Sequence, residues 1–259
     1  MNDRTATFRF YEELNDFLPL DRRKRDVAYR FRGTPSVKDA VEAQGPPHVE
    51  VDLILVDGVS VGFDHLLRGG ERVAVYPIFE SLDISPVVRL RERPLRDPRF
   101  VCDVHLGVLA RRLRLLGFDT LYGNDWDDLR IAETAASERR CVLTRDTGLL
   151  KRRLVERGYR VRSTDPERQP AEVVERLQLR RAAEAPGRMF SRCPACNGTV
   201  EAVEKADIVD LIEPGTRDAY DAFRQCRDCG RVYWRGTHYR RLQEIVARAL
   251  ASNSRFHSR

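Results

Sequence analysis

Two sets of side chains in this 259-residue chain have the types and spacing to do chemistry. The first is acidic. The apolar run Phe100-Val101-Cys102 ends at Asp103, and the run Cys141-Val142-Leu143-Thr144 ends two residues before Asp146. Asp127-Asp128 heads a helical pattern between them, and Asp165 lies just past the short run Tyr159-Arg160-Val161-Arg162. In an open parallel sheet, ligands collect beyond the carboxyl ends of the strands, so Asp103 and Asp146 meet there if their strands are neighbours. Carboxylates brought together repel unless they are protonated or share a cation, and hard oxygen ligands suit magnesium or manganese. The chemistry this predicts is metal-assisted reaction at phosphate. Asp103 and Asp146 would be ligands, and Asp128 would either bind metal or orient the attacking water. The competing reading makes each aspartate a cap for the helix that follows it, and Asp165 part of an Asp-Pro turn.

The second set is sulfur. Cys193-Pro-Ala-Cys196 and Cys226-Arg-Asp-Cys229 are two Cys-x-x-Cys pairs, followed by Asn197-Gly198 and by Gly230, which permit the tight turns such knuckles need. Two knuckles complete a tetrahedral thiolate site, so a structural zinc ribbon is predicted, with Cys193, Cys196, Cys226 and Cys229 as ligands. No secretion signal precedes them, which argues against disulfides. Cys102 and Cys141 sit inside apolar runs and read as small buried hydrophobes.

The elements that must position these groups follow from periodicity. Phe100 to Asp146 reads strand, helix, strand, helix, strand. The first helix places Leu106, Leu109, Leu113 and Leu116 on one face, Arg111, Arg112 and Arg114 on others, and stops at Gly117. Beyond Asp146 a helix over 148–157, a strand over 159–162 and a helix over 170–179 are expected. After the second knuckle, residues 231–259 carry seven Arg against one acid, Glu244, mixed with Tyr233, Trp234, His238 and Tyr239. Arginines and aromatic faces together suit single-stranded nucleic acid, and Arg145, Arg235, Arg240 and Arg241 are the candidate contacts. Packing of Tyr233 and Trp234 on the ribbon, and of a helix through Leu242, Ile245, Val246 and Leu250 on the core, is the alternative for this stretch.

Ahead of this region, residues 1–85 carry net charge −4 and residues 86–259 carry +10. A basic half beside an acidic leading domain points to a polyanionic partner such as RNA. No apolar run approaches the length of a membrane span and the first ten residues lack a signal-peptide core, so a cytoplasmic protein without a membrane partner is expected. Alternating runs at 5–10 and 27–31, a helix from Thr34-Pro35-Ser36 to Gln44, and strands at 52–56, 59–63 and 72–79 give the order ββαβββ of a ubiquitin-like β-grasp unit. The stretch VDLILVDGVSVGFDHLLRGGERVAVYPIFE resembles the small sulfur carriers of the thiamine and molybdopterin pathways. Those act through a free C-terminal Gly-Gly. Here Gly69-Gly70 is internal, so a docking or specificity module for a protein partner is expected instead.

Asp103, the run Leu106 to Asp119, the Leu143-Thr144-Arg145-Asp146 element and the CPAC/CRDC pairs together resemble the Mut-seven C-terminal RNase domain family, and the leading region resembles the ubiquitin-like partner fused to it. The resemblance implies an α/β PIN-like domain with a parallel sheet and a C-terminal zinc ribbon, preceded by an α+β β-grasp domain. Pro86, Pro94 and Pro98 among arginines, without apolar periodicity, mark a linker, giving the boundaries 1–82 for the β-grasp domain, 83–98 for the linker, 99–188 for the RNase domain and 189–259 for the ribbon and basic helix. The resemblance also implies a divalent-metal RNase in which Asp103, Asp128 and Asp146 match the family acids. The fourth acid common in PIN domains is lacking at Thr147-Gly148, which leaves Asp165 or a three-carboxylate site. A non-catalytic RNA-binding or ribosome-associated adaptor, working through ribbon and basic tail, is the alternative function.

Overall fold

The structure, a computed structural model, describes residues 3–77 and 98–251; the proposed linker lies largely outside them. The described residues fall into two units, 3–77 with 146–160, and 98–145 with 161–251.

The first unit is a β-grasp. Strands β1 (Arg4–Phe10) and β2 (Val27–Phe31) form a hairpin, α1 (Val37–Gln44) follows, and β3 (Val51–Val56), β4 (Val59–Ser60) and β5 (Arg72–Pro77) complete a sheet of order β2-β1-β5-β3-β4. The outer strands arrive antiparallel, while β1 and β5 run parallel at the centre. Alternation of apolar residues puts Phe8, Phe10, Ile54, Val73 and Val75 on the face that α1 covers with Val37, Ala40 and Val41. The helix begins one turn later than the sequence suggests. Ser36 is the cap, its hydroxyl accepting from Asp39 N–H at 3.1 Å, and Pro35 stays outside with its carbonyl bound by Leu67 N–H at 3.0 Å. The strand expected over 59–63 shortens to two residues, because beyond Ser60 the chain turns back towards α1 and Lys38 N–H binds Phe63 O at 3.3 Å.

The second unit starts with a β-α-β-α-β run. Its strands β6 (Phe100–Cys102), β7 (Thr120–Leu121) and β8 (Cys141–Thr144) are parallel with β6 central, connected by α2 (Gly107–Leu115) and α3 (Asp128–Glu138). Leu106, Leu109, Leu113 and Leu116 are all fully buried, as their spacing requires, and burial of each contributes about 1.5–3 kcal/mol. Gly117 ends α2 at φ 84°, and a side chain there would collide with the Arg188 carbonyl. Arg114, spaced off the leucine face, is itself buried, 4% exposed.

After β8 the chain enters the segment that groups with the first unit, containing α4 (Thr147–Leu150) and β9 (Gly158–Arg160). The helix expected over 148–157 is only one turn long, since Lys151 and Arg152 close it with turn hydrogen bonds to Gly148 and Leu149. Within that unit Lys151 Nζ donates to Glu42 O at 2.5 Å, and buried Glu50 accepts from Arg160 N–H at 2.6 Å. The chain resumes in the second unit with α5 (Gln169–Arg176) and α6 (Arg180–Ala183). Glu172, 4% exposed, accepts from the N–H groups of Arg162 and Ser163 and so clips the entry to α5.

The cysteine region is a three-stranded antiparallel sheet of β10 (Val200–Val203), β11 (Phe223–Cys226) and β12 (Val232–Trp234). The wide spacer between the knuckles contains β10, a 3₁₀ segment Lys205–Leu211 and α7 (Pro214–Ala219), with its own small core of Ile208, Ile212 and Phe223. The last helix, α8 (Thr237–Leu250), packs on α5 and α2 through a stripe containing buried Val246 and Ala249. Packing therefore accounts for the apolar stripe of α8, while Trp234 stays 39% exposed.

Candidate active site and metal centre

Strand β6 delivers Asp103 at its carboxyl end because it lies in register beside β8, and Asp103 N–H donates to Leu143 O at 3.0 Å. The residue is 5% exposed. Its Oδ1 accepts from His105 N–H at 2.8 Å and caps the turn Val104–Leu106, while Oδ2 accepts from the Thr144 hydroxyl and from Arg145 N–H at 3.3 Å. A carboxylate offers about four lone-pair sites, so three donors fix the direction of this one and leave capacity for a cation. The capping reading and the ligand reading thus coexist in Asp103. Thr144, fully buried at the end of β8, was read from the sequence as part of the Leu143-Thr144-Arg145-Asp146 element, but its hydrogen bond to Asp103 was not.

The other acids are placed as follows. Asp127 takes the N-cap of α3, accepting from Arg130 N–H at 2.8 Å, and half-buried Asp128 is the first helical residue. Asp146 is exposed and caps α4, with Oδ1 accepting from Gly148 N–H at 2.7 Å. Asp165 is exposed and makes the Asp-Pro turn, accepting from Glu167 N–H at 2.9 Å, with Oδ2 3.5 Å from Arg168. Arg145, Arg235, Arg240 and Arg241 are all exposed. The Arg235 guanidinium lies 5.7 Å from the centre of the Tyr239 ring, which rests on Phe190 at 5.0 Å.

Among the described residues, one group of three or more candidate ligands has its ligand atoms within 4.8 Å of one another: Cys193, Cys196, Cys226 and Cys229. The sulfurs of Cys193 and Cys229 are 3.7 Å apart, and those of Cys196 and Cys226 are 3.4 Å apart. A tetrahedron with metal–sulfur bonds of about 2.3 Å has edges of about 3.8 Å, so the quartet can hold a metal such as zinc. The first knuckle closes through Cys193 N–H to Gly198 O and Asn197 N–H to Cys193 O, with Asn197 at φ 74°. The second closes through Cys226 N–H to Arg231 O and Gly230 N–H to Cys226 O. Burial opposes ionisation of Cys193. The Tyr233 hydroxyl at 2.9 Å and neighbouring N–H groups outweigh it and lower the thiol to about 7. Burial and the adjoining sulfurs push Cys196 up to about 12. Four thiols this close cannot all ionise unless a cation joins them. Cys102 and Cys141 are buried, and burial drives the Cys102 thiol well above its usual range, in keeping with inert packing.

The knuckle is fastened to the sheet by residues the sequence did not disclose. Asn197 Oδ1 accepts from Thr120 N–H at 2.9 Å, and its amide donates to Asp119 at 2.7 Å. Arg114 donates to the carbonyls of Thr120, Pro194 and Ala195 at 2.8, 3.1 and 3.0 Å. Arg140, with its side chain 4% exposed, pairs with Asp119 at 2.7 Å and donates to Phe100 O. Phe100, Thr120 and Cys141 share one register row at the starts of the strands. The cysteine centre is therefore bolted to the amino ends of the strands, and Asp103 stands at the carboxyl end. Arg114 could have been found, because it lies four residues after buried Ala110, on the inner stripe of α2.

Two family models match this chain. Residues 98–246 match the model described as Mut7-C RNAse domain, and residues 3–83 match the one described as Mut7-C ubiquitin. A human protein, exonuclease mut-7 homolog, is 38% identical over 109 residues, covering 40% of this chain and 12% of the human protein. The match thus spans about an eighth of that relative's length. With residues 98–246, more than half of the sequence, matched by one model, the chain belongs to the Mut7-C RNase domain family, preceded by that family's ubiquitin-like domain.

Proposed function

We propose that this chain is a divalent-metal-dependent ribonuclease of PIN-like fold that hydrolyses RNA phosphodiester bonds, with zinc held structurally by the four cysteines. The observation that carries the reading is Asp103. A buried carboxylate, aimed from the end of a central parallel strand by Thr144 and Arg145 of the neighbouring strand, is an arrangement that positions a ligand. Family membership supplies the substrate class. Asp103, Asp128 and Asp146 would hold magnesium or manganese, whose donor preference their oxygen atoms match. Bound there, such a cation would supply Lewis-acid chemistry, acidifying a water and neutralising charge on a phosphate. Thr144 keeps Asp103 in one orientation, Asp128 holds or orients the attacking water, and Arg145 offers a guanidinium to a phosphate oxygen. Asp165 remains the candidate fourth acid. The exposed arginines of α8 hold the RNA backbone, and the ubiquitin-like unit is a docking surface for a protein partner.

The test is to incubate the purified protein with mixed RNAs, with manganese or with EDTA, and sequence the ends produced. Metal-dependent new ends support the nuclease. RNA binding that is equal with and without the metal, with no new ends, supports an adaptor instead.

A further inference from the structure

Trp126 sits in the connection between β7 and α3, two residues before Asp128. This connection is tied to the turn that Asp103 caps, since the Tyr122 hydroxyl donates to Val104 O at 3.1 Å. Gly107, the first residue of α2, has no room for a side chain against the Tyr122 ring. The indole is held from one side because a side chain at Gly123 would overlap its Cδ1 and Nε1. The exposed Arg130 places its guanidinium 4.5 Å from the indole centre. Val108 and Leu129, on the first turns of α2 and α3, are large apolar side chains left 42% and 49% exposed. All of these groups follow the carboxyl ends of β6 and β7, the end that carries Asp103.

A fixed indole stacked with a cation, rimmed by apolar surface in a chain half with net charge +10, matches what an unpaired nucleobase and its phosphate need. Any base can stack on an indole, whereas a base inside a duplex is already stacked on both faces. We propose that Trp126 and Arg130 form a stacking subsite beside the acidic residues, which restricts the substrate to single-stranded nucleic acid. Trp126 takes the base next to the scissile phosphate in place of the Arg130 guanidinium, which turns to that phosphate or the next. This deepens the ribonuclease reading and rests on it for the phrase "scissile phosphate", but the stacking itself needs no catalysis.

The chain has two tryptophans, so Trp234→Phe leaves Trp126 as the sole indole. That variant is titrated in EDTA with a single-stranded oligoribonucleotide, its DNA counterpart, the RNA annealed to its complement, and an abasic oligomer of equal charge. The single strands are expected to quench Trp126 emission, with weaker binding at higher salt, while duplex and abasic oligomers leave it unchanged. Trp126→Ala should weaken single-strand binding about tenfold and Trp126→Phe should largely restore it. Equal quenching by the abasic or duplex oligomer, or unweakened binding by a folded Trp126→Ala protein, overturns the proposal. Because no cleavage is measured, stacking that survives while the manganese assay yields no ends would overturn the nuclease and leave the subsite standing.

Discussion

Asp146 and Asp103 separate capping from catalysis in different ways. Asp146 is exposed and caps α4, and Asn caps nearly as well, so Asp146→Asn should change stability by less than about 0.5 kcal/mol while abolishing metal-dependent cleavage. Thermal melting and an RNA cleavage assay on one preparation check both halves. Thr144→Val removes the buried hydroxyl that binds Asp103, at a cost of about 1–3 kcal/mol, and should lower turnover by letting the carboxylate rotate. If turnover is unchanged, Thr144 serves the core alone. A pH prediction belongs to Asp119. Burial would raise its pKa, but hydrogen bonds from Arg140 and Asn197 and nearby guanidinium groups outweigh burial and hold it below the usual carboxylate range. A depressed carboxylate stabilises the fold above its unfolded value of about 3.9, and that contribution is lost as pH falls through the folded value. Asp119→Asn should therefore be less stable near neutrality and show a flatter stability profile below about pH 4. Denaturant melts across that range read it directly.

The elements were legible where a face is buried and illegible where a side chain reaches across the fold. Val27–Phe31 and Cys141–Thr144 have the bounds that their composition suggests, because each strand is fixed by apolar residues of its own. The helix over 148–157 was overdrawn, since its apolar spacing continues where turn hydrogen bonds have already closed the helix. The aspartates after strands were visible from position, but the partners of Asp103 were not, because Thr144 and Arg145 are more than forty residues away in sequence. The thiolate quartet was readable from spacing alone, whereas its fastening by Arg114 and Asn197 was not. That fastening predicts that Arg114→Ala, which strips donors from three carbonyls, destabilises the second unit by about 1–3 kcal/mol. Cys193→Ser should lose about one zinc per chain together with stability, as read by metal analysis and melting. Zinc-free protein that melts identically would contradict a structural role for the metal.

Two units share the chain. Residues 1–85 carry net charge −4, and the β-grasp unit they form is completed by the basic residues 146–160, through Lys151 on Glu42 and Arg160 on Glu50. Deleting residues 1–85 is expected to leave a folded, basic protein with exposed backbone in 146–160, so amide exchange there should rise while the cysteine region stays protected. Uniform loss of protection would show that the second unit cannot stand alone. The β-grasp order was legible because its ββαβββ pattern is built from short, strongly alternating runs. The inclusion of 146–160 was not, since it depends on backbone and carboxylate partners about 110 residues distant in sequence. If the exposed arginines hold the phosphates as proposed, RNA binding should survive loss of any carboxylate. On the proposed function, carboxylates at the ends of β6 and β8 carry out metal-dependent hydrolysis of RNA. The most direct measurement compares wild-type and Asp146→Asn protein on RNA in manganese, with EDTA as the control. Cleavage by the wild type alone, abolished by EDTA, is the result predicted; an Asp146→Asn protein cutting at the wild-type rate would contradict it.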